Sequence, residues 1–97
     1  MLKTFYIYIL ASKKNGFLYT GLTSELPKRI WEHKNEVVEG HTKKYKIKRL
    51  VHYEVFEDFE AAVKREKQLK KWRRQWKIDL IEKANPDWNE LYDEICK

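Results

Sequence analysis

The chain has 97 residues, with 21 Lys and Arg against 15 Asp and Glu for a formal charge of +6. That length fits one domain, and a 42% hydrophobic share with 14% aromatic residues supports a packed core and excludes a disordered chain. No apolar run approaches the ~18 residues of a membrane helix, and one cysteine, Cys96, excludes a disulfide framework and a cysteine-based zinc site. The expectation is a reduced, cytoplasmic, monomeric protein with no membrane attachment.

The N-terminal MLKTFYIYIL has no small-residue cleavage site and reads as a strand, not a signal peptide. Its segment 5–11 is rich in aromatic and β-branched side chains. Ser12-Lys13-Lys14-Asn15-Gly16 is a turn ending in Asn-Gly, and residues 17–21 predict the returning strand of a hairpin. Ser24 is positioned to cap a helix with Pro27 in its first turn, running to about residue 34 with Leu26 and Ile30 inward. Residues 35–48 have no period, contain Gly40 and predict a basic loop. A third strand is expected over 50–56, and Asp58 is positioned to cap a long helix over about 60–73. The next helix, about 75–84, turns Trp76, Leu80 and Ile81 inward, and Asn85-Pro86 ends it. Asp87 is positioned to cap a short final helix containing Trp88, Leu91, Tyr92 and Ile95. The order is β-β-α-β-α-α with a short C-terminal helix, an α+β pattern without repeats or a linker.

Charge is unevenly spread. Residues 1–77 hold 19 Lys and Arg and 9 Asp and Glu, a net of +10, while residues 78–97 hold 2 against 6, a net of −4. One basic cluster is Lys43, Lys44, Lys46, Lys48 and Arg49, interleaved with Tyr45. The other is Lys64, Arg65, Lys67, Lys70, Lys71, Arg73, Arg74 and Lys77, interleaved with Trp72 and Trp76. Cations release counterions from a phosphate backbone and ring faces stack on bases, so two such clusters point to nucleic acid. The plainer reading is a solvated helix face with the rings in the core.

Glu66 is the acid that stands out, because no other lies between Ala61 and Arg74. Phe59, Ala62, Val63, Glu66 and Leu69 follow 3–4 residue spacing, which places Glu66 on an apolar stripe. An inward carboxylate costs several kcal/mol unless paired or bound to a metal. The commoner arrangement is an ion pair with Lys70 or Arg29; the sharper one is a metal ligand at the floor of a basic cleft. Arg29 and His33, four residues apart, share a helix face. Arginine suits phosphate and histidine moves protons near neutral pH, although a solvated polar face explains the pair as well. Tyr8 and Tyr19 flank the hairpin turn and can meet on one face, or simply pack in the core and at its edge.

Together these residues resemble the GIY-YIG nuclease superfamily. Tyr6-Ile7-Tyr8 is similar to the first signature and Tyr19-Thr20-Gly21 to the second, with Tyr6 standing for Gly and Thr20 for Ile. Arg29 and His33 match the family's helix pair, Glu66 in KREKQLKKW its metal-binding Glu, and Asn85 in NPDW its closing Asn. The resemblance covers about residues 4–88, leaving 89–97 as a C-terminal extension of a single domain, and is closest in pattern to small stand-alone bacterial members. It implies a three-stranded antiparallel sheet flanked by helices, and hydrolysis of phosphodiester bonds in DNA with one Mg²⁺ or Mn²⁺.

In that reading Glu66 holds the metal and Arg29 offsets charge on the phosphate. Tyr8 is the general base, its pKa lowered by nearby cations. Tyr19 and His33 position water or relay the proton, and Asn85 orients the site. Lys43, Lys44, Lys46, Lys48, Arg65, Lys67, Lys70, Lys71, Arg73 and Arg74 contact duplex or branched DNA. No segment resembles a separate DNA-recognition domain, so cleavage selective for structure or weakly specific for sequence is expected, with a place in repair or recombination. The alternatives are a non-catalytic nucleic-acid-binding module and a partner-binding module that uses the acidic C-terminal segment. His41 and His52 take no role.

Overall fold

The computed structural model describes residues 3–37 and 40–96. Its elements are β1 (Phe5–Ala11), β2 (Leu18–Thr23), α1 (Leu26–Lys34), α2 (His41–Lys44), β3 (Arg49–Phe56), α3 (Phe59–Lys71), α4 (Arg74–Ala84) and α5 (Tyr92–Ile95). The strands form one antiparallel sheet in the order β2-β1-β3. β1 is therefore central, and residues 7 to 11 are buried without exception. That burial explains the unbroken apolar run, since a strand covered on both faces has no polar side to alternate.

Tyr8 and Leu10 face α1, packing with Leu26, Ile30, Ile47 and Leu50, and α5 closes over this cluster with Leu91, Tyr92 and Ile95. Ile7, Ile9 and Ala11 face the other way, toward Ala62 and Leu69 of α3 and toward Ile81 and Trp88. No described helix is long and apolar enough to cross a membrane.

Several expected boundaries shift for physical reasons. Ser24 does not cap α1: the cap position is Glu25, whose backbone N–H donates to Thr23 Oγ1 at 3.0 Å, so a threonine turn starts the helix. Asp58 does cap α3, accepting from Ala61 N–H at 3.1 Å. The expected loop over 35–48 contains α2, started by Gly40 at φ 103°, a conformation that suits glycine; Val38 and Glu39 lie outside the described residues. Phe59, placed on the inward stripe, is exposed. Trp76 is 49% exposed, because it meets Trp72 edge-on at 6.0 Å across the α3–α4 corner instead of entering the core.

Asp87 caps no helix. Residues 85–88 form a turn in which Trp88, at φ 57°, is fully buried and donates its ring N–H to Glu82 at 2.7 Å, and α5 starts only at Tyr92. The acidic segment folds back on the body. Glu90 pairs with Lys34 and accepts from Leu50 N–H at 2.8 Å, and Glu94 accepts from the Tyr53 hydroxyl at 2.7 Å.

One polar group works against the fold. Thr20 faces the α3–α4 side beside its pair Ile9, and its hydroxyl is buried with no partner among the described residues. A buried unpaired hydroxyl costs ~1–3 kcal/mol. Thr20→Val is therefore expected to raise the melting temperature by roughly 4–8 °C, the equivalent of about 1 kcal/mol at this size. Thermal denaturation followed by circular dichroism reads the change; a lower midpoint would show that the hydroxyl is satisfied.

Candidate active site

Tyr8 pairs with Gly21 across the hairpin, and its ring lies over that glycine. A Cβ at Gly21 would come within 2.3 Å of both Tyr8 Cζ and its hydroxyl oxygen. The missing side chain lets Tyr8 reach across β2 to the sheet edge, the reason a glycine sits inside a strand here. Tyr19, two residues earlier on β2, points to the same face, with its ring centroid 6.3 Å from that of Tyr8.

α1 brings His33 onto this pair. The Tyr8 hydroxyl and His33 Nε2 are 3.1 Å apart, and the His33 ring centroid lies 5.7 Å from Tyr8 and 5.5 Å from Tyr19. His33 is 2% exposed, and its Nδ1 is 3.2 Å from Thr42 Oγ1 on α2. Burial, followed by the charge of Arg29, lowers the His33 pKa and outweighs Glu32, so the ring is neutral at pH 7. One turn before His33, Arg29 stands at the rim, half-exposed, with Nε 3.2 Å from Glu32 Oε1.

Tyr8 behaves opposite to expectation. Its phenol lies well above its ordinary pKa: burial raises it most, Tyr19 adds to that, and the cationic Arg29 pulls down without prevailing. The hydroxyl is sealed from solvent, and desolvating a phenolate costs more than one guanidinium returns. A free phenolate is thus not the resting state, and a proton acceptor beside Tyr8 is needed.

Glu66 projects from α3, with Lys70 Nζ 3.3 Å from Oε2, so the plain ion pair anticipated from the i,i+4 spacing is present. Its charge also acts to raise the Tyr8 pKa. Tyr8, Tyr19 and His33 thus form one cluster, with Arg29 one turn before His33 on the same helix, while Glu66 on α3 acts on Tyr8 through its charge.

Asn85 lies elsewhere. It ends α4, and its amide donates to Val51 O at 3.1 Å and Asn89 O at 2.9 Å and accepts from Asn89 N–H at 2.9 Å. Val51 is the residue skipped where the β1–β3 register shifts, so Asn85 secures the bulge on the far edge strand. Its side-chain hydrogen bonds among the described residues go to Val51 and Asn89 and not to the other five.

The basic clusters divide similarly. Arg65 makes two bonds to Glu54, at 2.8 and 3.1 Å, with its guanidinium 5.1 Å from the Trp72 ring, which ties it into the fold. Burial pushes the Glu54 carboxyl up, but His52 and Arg65 outweigh it and hold the pKa at about 2. Arg74 donates to Asn15 O and Gly16 O, both at 2.7 Å. Lys46 and Lys48 both pair with Glu36, Lys44 lies 5.3 Å from the Tyr45 ring, and Arg73 lies 5.5 Å from the Trp76 ring. Lys67 and Lys71 are exposed, and Lys43 lies on α2 between Thr42 and Lys44.

Residues 4–79 match the model of the GIY-YIG catalytic domain. The chain belongs to that family. It is similar to UPF0213 protein SSP2268 of Staphylococcus saprophyticus, 41% identical over 76 residues that cover 78% of this chain and 92% of that one. A UPF0213 protein of Syntrophus aciditrophicus is 39% identical over 83 residues, covering 84% and 93%. The solution NMR structure of UPF0213 protein BH0048 from Bacillus halodurans shares 29% identity with a TM-score of 0.57, covering 90% and 92% of the two chains. The GIY-YIG match ends before Asn85 and Trp88, so the turn that secures β3 lies beyond it.

Two residues of this neighbourhood carry parts that the sequence did not assign. Gly21 was visible as a glycine in a strand pattern, a recognised sign of close approach. Thr42 had no such signal, because nothing in a run of Lys, His and Thr shows which side chain turns inward.

Proposed function

We propose that the protein is a metal-dependent DNA endonuclease that hydrolyses phosphodiester bonds, selective for structure or weakly specific for sequence. The supporting observation is the Tyr8–His33 contact at 3.1 Å, with Arg29 one turn away on the same helix and the charge of Glu66 acting on Tyr8. A phenol of raised pKa next to a neutral imidazole is a proton relay: Tyr8 hands its hydroxyl proton to His33 Nε2 as its oxygen takes one from the attacking water. The water oxygen bonds to phosphorus and the bond to the leaving 3′ oxygen breaks. Arg29, free to leave Glu32 for a phosphate, offsets the charge that builds on the non-bridging oxygens. This reading requires the site to open over Tyr8, which is buried in the free protein, and Tyr19 orients the water.

The donor set fits one Mg²⁺ or Mn²⁺. Among the described residues no three His, Cys, Asp or Glu side chains form a cage, whereas Mg²⁺ commonly takes one or two carboxylates and keeps several waters. Glu66 would hold the ion, which when bound supplies charge neutralisation at the phosphate and the leaving oxygen. Exposed cations on α3 and around α2, among them Lys44, Lys67, Lys71 and Arg73, carry the backbone contacts.

The complete burial of Tyr8 favours a second reading, a nucleic-acid-binding module without turnover. Incubating plasmid, flap, junction and linear DNAs with each metal separates the two. Nicking that disappears in Tyr8→Phe is the expected result. Salt-sensitive binding with no cut in any substrate would replace the first reading by the second.

A further inference from the structure

Neutral imidazole carries one N–H and one acceptor nitrogen, and both His33 nitrogens have oxygen partners: the Tyr8 hydroxyl at 3.1 Å and Thr42 Oγ1 at 3.2 Å. If Nε2 carried the hydrogen, Tyr8 would accept from His33 and, among the described residues, its buried phenol proton would have no acceptor. Glu66 is engaged elsewhere, with its carboxylate 3.3 Å from Lys70 Nζ. An unmet buried donor costs ~1–3 kcal/mol. Placing the hydrogen on Nδ1, donated to Thr42, leaves Nε2 free to accept from Tyr8. Thr42 is well placed to accept that hydrogen. It is buried, and α2 fixes it through the Lys44 N–H bond to Gly40 O and the Ile47 N–H bond to Thr42 O, with Ile47 anchored in the core.

We infer that Thr42 is a positioning residue that holds His33 in the Nδ1–H tautomer, so that Nε2 is the acceptor for the Tyr8 proton. Its place in catalysis rests on the nuclease reading; its place on the imidazole does not. Thr42 Oγ1 meets the far nitrogen of the ring that meets Tyr8, so it acts on Tyr8 through His33.

Nitrogen-15 NMR of the His33 side chain tests this in the free protein, without turnover. Wild type and Thr42→Ser are expected in the Nδ1–H form. Thr42→Val, which keeps the shape and removes the hydroxyl, is expected to shift the population toward Nε2–H. In cleavage assays Thr42→Val should lower kcat by about 10²-fold with KM unchanged, and Thr42→Ser should retain most activity. An Nε2–H signal in the wild type, or an unchanged tautomer in Thr42→Val, overturns the inference whether or not the protein cuts DNA. The expected tautomers in a protein that never cuts would keep the Thr42 contact and refute only the nuclease reading.

Discussion

Replacing Glu66 by glutamine is expected to abolish Mg²⁺- or Mn²⁺-dependent nicking while leaving the fold and DNA binding in place. A carboxylate that holds a catalytic ion controls several kcal/mol of transition-state stabilisation, so the rate should fall by about 10³-fold or more. The structural cost is small by comparison. Glu66 makes one ion pair, with Lys70 at 3.3 Å one helical turn away. Pairs of that kind contribute only ~0.3–0.5 kcal/mol, a shift of at most a few degrees in melting temperature. Because those two magnitudes differ so widely, the substitution separates the readings of Glu66. If its role is the ion pair alone, Glu66→Gln keeps full activity and loses a little stability. If it is the metal ligand, activity goes and stability stays. Fluorescence anisotropy with a labelled junction at two salt concentrations supplies the control: removing a negative charge from a basic surface should leave affinity equal or slightly higher. Unchanged nicking by Glu66→Gln would sink the metal assignment.

What the sequence made legible follows from which forces act locally. Strand β1 was readable because a central strand covered on both faces must be apolar throughout, and the hairpin because Asn15 adopts φ 60° just before Gly16. The spacing of Glu66 among apolar residues placed it on the inward stripe of α3, where it is partly buried, although Phe59 from the same stripe lies outside the core. What escaped depends on depth and on distant partners. The raised pKa of Tyr8 reflects how completely it is enclosed between α1 and the sheet, and no local pattern reports enclosure. Helix α2 has four residues and takes its position from Ile47 and Gly40, not from a period. Asn85 looked like a site residue by motif, but its amide is spent on the bulge at Val51, a feature visible only once β3 is paired with β1. Trp76, expected inward, lies outside because the chain bends at residue 72, and Trp88, expected within the final helix, enters the core from a turn instead.

Gly21→Ala is expected to damage stability and chemistry together, and to do so through one contact. The added Cβ would lie 2.3 Å from Tyr8 Cζ and from its hydroxyl oxygen, well inside any tolerated separation. β2 is hydrogen-bonded to β1 along its length and Tyr8 is enclosed, so neither can yield without displacing the other. Overpacking of this kind costs ~1–3 kcal/mol, here at the upper end, and a loss of ~2–3 kcal/mol lowers the melting temperature by roughly 10–20 °C. The Tyr8 hydroxyl moves off His33 Nε2, so nicking should fall further than the lost stability accounts for at a temperature where the variant is still folded. A second substitution isolates the cause. In a Tyr8→Leu background the ring tip that meets the new Cβ is gone, and Gly21→Ala should then cost well under ~1 kcal/mol, a strong non-additivity for a contacting pair. Denaturant titration of the four proteins in this cycle gives the coupling directly. Additive costs would mean that Gly21 is needed for its own backbone and not for the passage of Tyr8 over the sheet edge, and the site would lose the feature that carries its tyrosine to His33.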